Sequence, residues 1–491
     1  MSTLHRTESI RRIEQAWVAR LPAGELMRRA AAAVADATSR HARDLPRATP
    51  IVALVGPGNN GGDALLAAAM LADRGFPVRA LALSRSPPAA ADAAAVWADW
   101  GARGGAVGGL EALDALMEQR PLLIDGLFGI GLARPLDGAL ARAVGAIAQA
   151  GCPVVAVDVP SGIDADRGGV VGGADGVAIR AVLTVTMIGD KPGLHTGAAL
   201  DHVGRVLVAG LGLEPQPGDG TLFGAEQATR LLSVRARDTH KGSYGGVSVI
   251  GGARGTTGAA LLAARGAQAS GSGKVFVASP GEPVFDAGQP QLMTRALDLA
   301  LDDVDALCIG CGLGTSEQAR HALAAALRSA LPAVVDADAL NLVAAEPALA
   351  RALRARTAPA VLTPHPLEAA RLLGRAARDV QADRIGAALE LAKTFEATVV
   401  LKGAGTVVAA PDGSWAIVDS GSAALATGGT GDVLAGCIAT LLSQGRDATT
   451  AAALGAWLHG RAGDLWQRAH ARGIGLSAAR LPELITEVIN A

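Results

Sequence analysis

The sequence predicts an α/β protein of two consecutive units, each a mostly parallel sheet covered by helices on both faces to give a three-layer αβα sandwich. Three observations carry this. Apolar runs of four to six residues, with β-branched content, recur along the chain and end in Gly, Asp or Ser. Stretches with helical Ala/Leu periodicity lie between several of them. A polar segment containing Glu214-Pro215-Gln216-Pro217-Gly218-Asp219-Gly220 interrupts the pattern near the middle. The expected units are 1–212 and 225–491, joined by a linker at 213–224.

In the first unit the strand candidates are Ile51–Val55, Val78–Leu83, Leu122–Ile124 and Val154–Val157. In the second they are Val247–Ile250, Val275–Ala278, Ala306–Ile309, Ala333–Val335, Val361–Leu362 and Val399–Leu401. A hairpin follows, Thr406–Ala410 with Trp415–Val418, turned by Asp412-Gly413. From Gly431 onward the pattern is helical, and no internal repeat relates the halves.

Composition narrows the function. Of 491 residues half are hydrophobic, yet 3% are aromatic and 18% charged, with 63 Gly. Clustered Gly marks tight turns and close approach of backbone to ligands. Net charge is −2 with no run of five like charges, and the basic stripe and stacking aromatics of a nucleic-acid binder are missing. The longest apolar stretches, such as Val433–Leu442, fall short of the roughly 18 residues that span a membrane. Met1–Gln15 is charged and lacks the apolar core of a signal peptide. The reading is a cytoplasmic protein with no membrane or nucleic-acid partner. Its apolar, aromatic-poor helices suit self-assembly, and a homo-oligomer is expected. Four cysteines are too few to staple the chain. Cys308 and Cys311 read as a buried strand end and a Gly-rich turn, since zinc needs about four ligands.

After Ile51–Val55 comes Gly56-Pro57-Gly58-Asn59-Asn60-Gly61-Gly62-Asp63, then an Ala/Leu helix. A Gly-rich loop between strand and helix presents N–H groups to an anion such as a pyrophosphate. Two later strands end alike, in Asp125-Gly126-Leu127-Phe128-Gly129-Ile130-Gly131-Leu132-Ala133-Arg134-Pro135 and in Asp158-Val159-Pro160-Ser161-Gly162-Ile163-Asp164. Ligands of open α/β sheets bind beyond the carboxyl ends of the strands. Asn59, Asn60, Asp125, Asp158 and Ser161 would there form an oxygen-rich pocket suited to a hard cation. Any one of these Asp residues taken singly could be a helix cap.

These residues resemble the NAD(P)H-hydrate epimerase domain, a likeness that covers about residues 10–212 and includes Leu26-Met27-x-x-Ala30-Ala31. The resemblance implies a Rossmann-like fold that binds a hydrated nicotinamide dinucleotide and a potassium ion. It assigns Asn60, Asp125 and Ser161 to potassium. It assigns Asn59, Asn60, Gly61, Gly62, Asp63, Gly129, Ile130, Gly131, Leu132, Ala133, Arg134, Pro135 and Asp158 to the dinucleotide. Ala64 stands where a further Gly is common, and Val182 where Asp is usual.

In the second unit, Ala426-Thr427-Gly428-Gly429-Thr430-Gly431-Asp432-Val433-Leu434-Ala435-Gly436 enters a helix. Successive glycines free N–H groups at a helix N-terminus, where the macrodipole favours a phosphoryl group. Asp432 is placed to take a proton from a hydroxyl that attacks phosphorus, though an Asp there is also a common cap. Lys402-Gly403-Ala404-Gly405-Thr406 ends another strand and suits a nucleotide phosphate. Thr363-Pro364-His365-Pro366-Leu367-Glu368 holds His365 in a stiff turn. Asp336-Ala337-Asp338-Ala339-Leu340-Asn341 and Gly310–Gly314 complete a ring of polar strand ends.

Together with His240-Lys241-Gly242-x-x-Gly245, these motifs resemble the ribokinase-like NAD(P)H-hydrate dehydratase domain over 225–491. The resemblance implies that the hydrated nicotinamide lies against Ala253, Gly312, His365 and Asp432. It places ADP, a co-substrate with Mg2+, on Lys402, Gly403, Ala404, Gly405, Thr406 and Gly431. Leu367 and Gln291 depart from the residues common in that family.

Both resemblances imply repair of hydrated NADH and NADPH. The first unit would interconvert R and S epimers with Asp158 assisting. The second would phosphorylate the S epimer with Asp432 as base, expel phosphate and restore NAD(P)H, releasing AMP. Two other readings stay open at this point: an ATP-dependent kinase of a vitamin alcohol, and a non-catalytic binding module in the first unit.

Overall fold

The computed structural model describes residues 2–46, 48–281, 283–297, 301 and 303–491. It divides into two compact units, Ser2–Gly220 and Thr221–Ala491.

In the first unit the strands are β1 (Ser2–Leu4), β2 (Ile51–Val55), β3 (Val78–Ala82), β4 (Val107–Gly109), β5 (Leu122–Gly126), β6 (Val154–Val157), β7 (Leu183–Met187) and β8 (Arg205–Ala209). Seven of them form a parallel sheet in the order β4-β3-β2-β5-β6-β7-β8. Strand addition reverses between β2 and β5, which opens a crevice at their carboxyl ends. Every residue of β2, β5, β6 and β7 is buried, as expected for strands covered on both faces. Ala31, Val34, Leu65 and Ala68 pack on one face of the sheet, and Leu113, Val144 and Ile147 on the other.

Three strands of this sheet, β4, β7 and β8, carry no clear sequence signal. β4 is Val-Gly-Gly, β8 is a half-exposed edge, and β7 places Thr184 and Thr186 inside. The core accepts Thr184 because its hydroxyl donates to the Val203 carbonyl at 2.7 Å. Ala64 occupies its unusual position by packing on Gly126, where an added Cβ would stand 2.3 Å from the Ala64 methyl.

The second unit contains β9 (Gly220–Phe223), β10 (Gly246–Ile250), β11 (Lys274–Ala278), β12 (Met293–Arg295), β13 (Ala306–Ile309), β14 (Ala333–Val335), β15 (Ala360–Leu362), β16 (Thr398–Leu401), β17 (Val407–Ala409) and β18 (Trp415–Val418). Their order is β9-β18-β17-β16-β15-β14-β13-β10-β11-β12. Pairing is parallel except in the β16-β17-β18 hairpins. At the turn, Asp412 Oδ1 accepts from the Ser414 N–H at 2.8 Å and Gly413 takes φ 90°.

The expected linker 213–224 is corrected by β9. Its Pro and Gly precede Thr221-Leu222-Phe223, which then add in parallel to β18 and satisfy that strand's outer edge. β12, three residues long and largely exposed, has no apolar run to announce it. Helices Thr430–Ser443 and Ala448–Ala469 are largely buried, with Ile438, Leu441, Leu454 and Leu458 in the main core of this unit. Among the described residues no helix is long and apolar enough to cross a membrane.

Two candidate active sites

The crevice of the first unit is a cavity of about 370 Å³ at the ends of β2, β5, β6 and β7. Its walls include Asn59, Asn60, Asp63, Gly129–Leu132, Asp158, Met187 and Ile188, and the helix Thr7–Val18 adds Ile10, Arg11 and Glu14. Asp158 and Ile188 both hold φ near 68°, a conformation that costs a non-glycine residue roughly 1–3 kcal/mol and is concentrated at functional sites.

Asp158 is tied from behind. Its Oδ1 accepts from Lys191 Nζ at 2.8 Å and from the Met187 N–H at 3.1 Å. The fully buried Lys191 ammonium also donates to Thr186 Oγ1, 2.7 Å, and to the carbonyls of Met187 and Gly189 at 3.0 and 3.2 Å. The other oxygen, Oδ2, lies beside Gly129, 3.3 Å from where a Cβ would stand. Burial, then the charges of Asp158, Glu14 and Asp92, lift the Asp63 carboxyl well above its ordinary pKa. Glu14 is raised too, by burial and then by Asp158.

Asp125 sits beneath this cavity, fully buried at the end of β5. Ser161 Oγ donates to its Oδ1 at 2.7 Å and the Ser161 N–H to its Oδ2 at 2.8 Å. Burial outweighs these bonds and pushes its pKa up to about 6. Ser161 Oγ in turn accepts from the Phe128 N–H at 2.9 Å, tying the strand-end loops together.

In the second unit the ends of β13, β14 and β16 bring Cys311, Asp336 and Lys402 to the first turn of Thr430–Ser443. One ligand atom each of Cys311, Asp336 and Asp432 fall within 4.8 Å of one another. Lys402 Nζ donates to Asp336 Oδ1 at 2.9 Å and stands 3.1 Å from where a Cβ on Gly431 would be. Burial opposes the Lys402 ammonium, but Asp336 and Glu368 more than offset it and its pKa is raised. Burial, then Asp336, lifts Asp432 to about 6, with Cys311 and Lys402 pulling the other way. Gly429 takes φ 91°, and a Cβ there would stand 2.6 Å from Leu262, so the turn that aims this helix end needs glycine.

His365 caps the helix Pro366–Leu373. Its Nδ1 accepts from the N–H groups of Leu367 and Glu368 at 3.1 and 3.3 Å, while Glu368 Oε2 accepts from the His365 N–H at 2.8 Å. Burial, then Lys402, lowers its pKa. His459, fully inside, donates from Nε2 to the Thr430 carbonyl at 2.9 Å and braces the same helix end, its pKa held near 4 by burial. The Ala253 N–H donates to the Gly312 carbonyl at 2.6 Å, which links those two expected substrate residues.

The structure thus gathers Asn59, Asn60, Asp63, Gly129, Ile130, Gly131, Leu132 and Asp158 around one cavity. Gly61 and Gly62 are buried in the helix start beneath it, and Ala133, Arg134 and Pro135 lie outside its walls. Gly403 and Ala404 are exposed, and Gly405 and Thr406 half-buried, in the turn beyond Lys402. The sequence reading missed Glu14, Lys191 and the Cys311 thiol.

Two family models match the chain, "YjeF-related protein N-terminus" over 23–193 and "NAD(P)H-hydrate dehydratase" over 247–487. Bifunctional NAD(P)H-hydrate repair enzymes are similar over nearly the whole length. The one from Coxiella burnetii is 36% identical over 94% of this chain and 95% of its own. The one from Escherichia coli is 36% identical over 86% of this chain and 81% of its own. A crystal structure of an ADP/ATP-dependent NAD(P)H-hydrate dehydratase from Bacillus subtilis, co-crystallised with ATP and Mg2+, is 30% identical, covering 55% of this chain and 98% of its own, with a TM-score of 0.48.

Proposed function

The chain belongs to the bifunctional NAD(P)H-hydrate repair enzymes, and we propose that its two units divide the repair between them. The first unit interconverts the R and S epimers of hydrated NADH or NADPH in the cavity at β2, β5 and β6. The second consumes the S epimer with ADP and returns NAD(P)H, AMP and phosphate.

The observation that carries the second half is Asp432, a half-buried carboxylate in the first turn of Thr430–Ser443 whose pKa is raised to about 6. As the 6-hydroxyl oxygen bonds to the β-phosphorus of ADP, Asp432 takes its proton and AMP leaves. The N–H groups of Gly429–Gly431 at the helix end receive the phosphoryl charge. The ring nitrogen then expels phosphate as C5 loses a proton, which restores the double bond. Lys402–Thr406 and Gly431 are the nucleotide's side of the site. Ala253, Gly312 and His365 are the ring's side. Cys311, Asp336 and Asp432 make a poor magnesium cage, because one donor is a thiol and one carboxylate already holds Lys402. Magnesium therefore arrives on the nucleotide phosphates, as part of the co-substrate.

In the first unit Asn60, Asp125 and Ser161 fit a potassium ion. Asp125 is buried with no cationic partner among the described residues. The donors are all oxygens. A bound cation would supply the missing countercharge and stiffen the Phe128 loop that borders the dinucleotide.

Product analysis tests this reading. Incubating the purified S epimer of hydrated NADH with ADP and Mg2+ should give NADH, AMP and free phosphate in equal amounts. A stable phosphorylated product would instead make the second unit an ordinary kinase.

A further inference from the structure

We propose that the epimerase site works as a divided pair of carboxyls, with Asp158 the base, Asp63 the acid, and buried Lys191 the positioning residue that decides which of them carries the charge. This deepens the epimerase reading of the first unit and rests on it.

Three carboxyls, Glu14, Asp63 and Asp158, line one cavity of about 370 Å³. Among the described residues the one ammonium in contact with any of them is Lys191, and it is committed to Asp158. Lys191 is wholly buried with its donors spread over Asp158, Thr186 and two carbonyls, so it cannot swing to another carboxyl. It engages Asp158 Oδ1 only. Oδ2 is left at the Gly129 side of the cavity as the oxygen that meets substrate.

Asp63 is the opposite case. The groups that act on it, Asp158, Glu14 and Asp92, are all acidic, and no ion pair holds its carboxyl among the described residues. Glu14 has Arg11 one turn earlier on its own helix, and both Arg11 and Lys191 favour its ionised form. Like charges crowded into one cavity cannot all persist, and the carboxyl without a cation is the one that keeps its proton.

Such a pair suits the chemistry at C6, a carbon that carries both a hydroxyl and the ring nitrogen. Asp158 takes the hydroxyl proton as the C6–N1 bond breaks and C6 becomes an aldehyde. Asp63 gives its proton to N1, which keeps the electron pair of the broken bond. Rotation about C5–C6 presents the other face, and ring closure sends both protons back. Each carboxyl regains its starting state, with no net loss of atoms or electrons and no other reactant.

The test uses the full-length protein without ADP, which silences the second unit, and follows conversion of the R epimer of hydrated NADPH to S by proton NMR. Asp63→Asn should slow interconversion about 100-fold at pH 7 with KM little changed, and Asp63→Glu should recover part of the loss. The rate of the unaltered protein should fall as pH is raised and Asp63 ionises. Asp63→Asn should lack that fall and Glu14→Gln should keep it. Lys191→Met should lower kcat about 10-fold or more, and Lys191→Arg should restore some of it. In H2(18)O the hydroxyl oxygen should be retained through early turnovers. NADPH binding by each variant reports that the site is folded. An Asp63→Asn protein within twofold of the unaltered rate overturns the assignment, as does a fall with rising pH that survives in it. Oxygen exchange in step with epimerisation overturns ring opening. An unaltered protein that does not interconvert the epimers overturns the epimerase reading itself.

Discussion

Lys402 Nζ lies 2.9 Å from Asp336 Oδ1, an ion pair that joins the ends of β16 and β14 and stands directly behind the first turn carrying Asp432. The carboxylate is 2% exposed and the ammonium 19%. The pair therefore couples the stability of the second unit to the electrostatics of Asp432, its proposed base.

Removing one partner strands the other. Lys402→Met should destabilise the second unit by about 2–3 kcal/mol, below the ~3–5 kcal/mol of a fully buried pair because Lys402 keeps some solvent. The double variant Lys402→Met with Asp336→Leu should recover much of that loss while staying inactive. Urea unfolding of the single and double variants measures both.

The pH dependence of dehydration follows from Asp432. A base must be ionised to accept a proton, so with a pKa of about 6 the rate should rise as pH increases from 5 to 7 and then level. Lys402 favours the ionised form of Asp432. In Lys402→Met the rising limb should therefore shift to higher pH. His459 stays neutral throughout, with its pKa near 4, and adds no limb of its own. Steady-state rates on the S epimer against pH check this, and Asp432→Asn should lose about 100-fold or more in kcat.

Much of this arrangement is legible in the sequence. A parallel strand buried on both faces reads as an apolar run, and its carboxyl end must turn, so Gly56–Asp63, Asp125, Asp158, Asp336, Thr363–Glu368 and Lys402–Thr406 stand out together. What stays hidden depends on tertiary approach. Lys191 lies in Gly189-Asp190-Lys191-Pro192-Gly193 and reads as a solvated turn residue, until the end of β7 folds it under Asp158. Cys311 reads as half of an idle C-x-x-C, yet β13 delivers its thiol to Asp336 at 3.9 Å. β9 and β12 are hidden for a different reason. Each adds at a sheet margin, where half-exposed positions need no apolar run.

Asp125 predicts a link between protons, potassium and stability. Its pKa of about 6, against an ordinary 3.8, means that the folded state holds the proton more tightly than the unfolded chain. The stability it contributes is full below pH 3.8 and is lost as pH rises through 6, roughly 3 kcal/mol in a potassium-free buffer. Asp125→Asn should abolish that part of the pH dependence. Potassium at the proposed site would compete with the proton for this carboxylate, so adding it should raise the melting temperature more at pH 7.5 than at pH 5. Thermal melts in potassium and in N-methylglucamine salts compare the two.

Division of the repair between two units is tested most directly by one assay. Purified protein is mixed with both epimers of hydrated NADH, and the reduced-nicotinamide absorbance is followed with and without ADP. Recovery of the whole pool is expected with ADP, at a rate above spontaneous epimerisation, and none without it. Recovery that stops at the S fraction would contradict the epimerase role of the first unit, and no recovery with ADP would contradict the dehydratase role of the second.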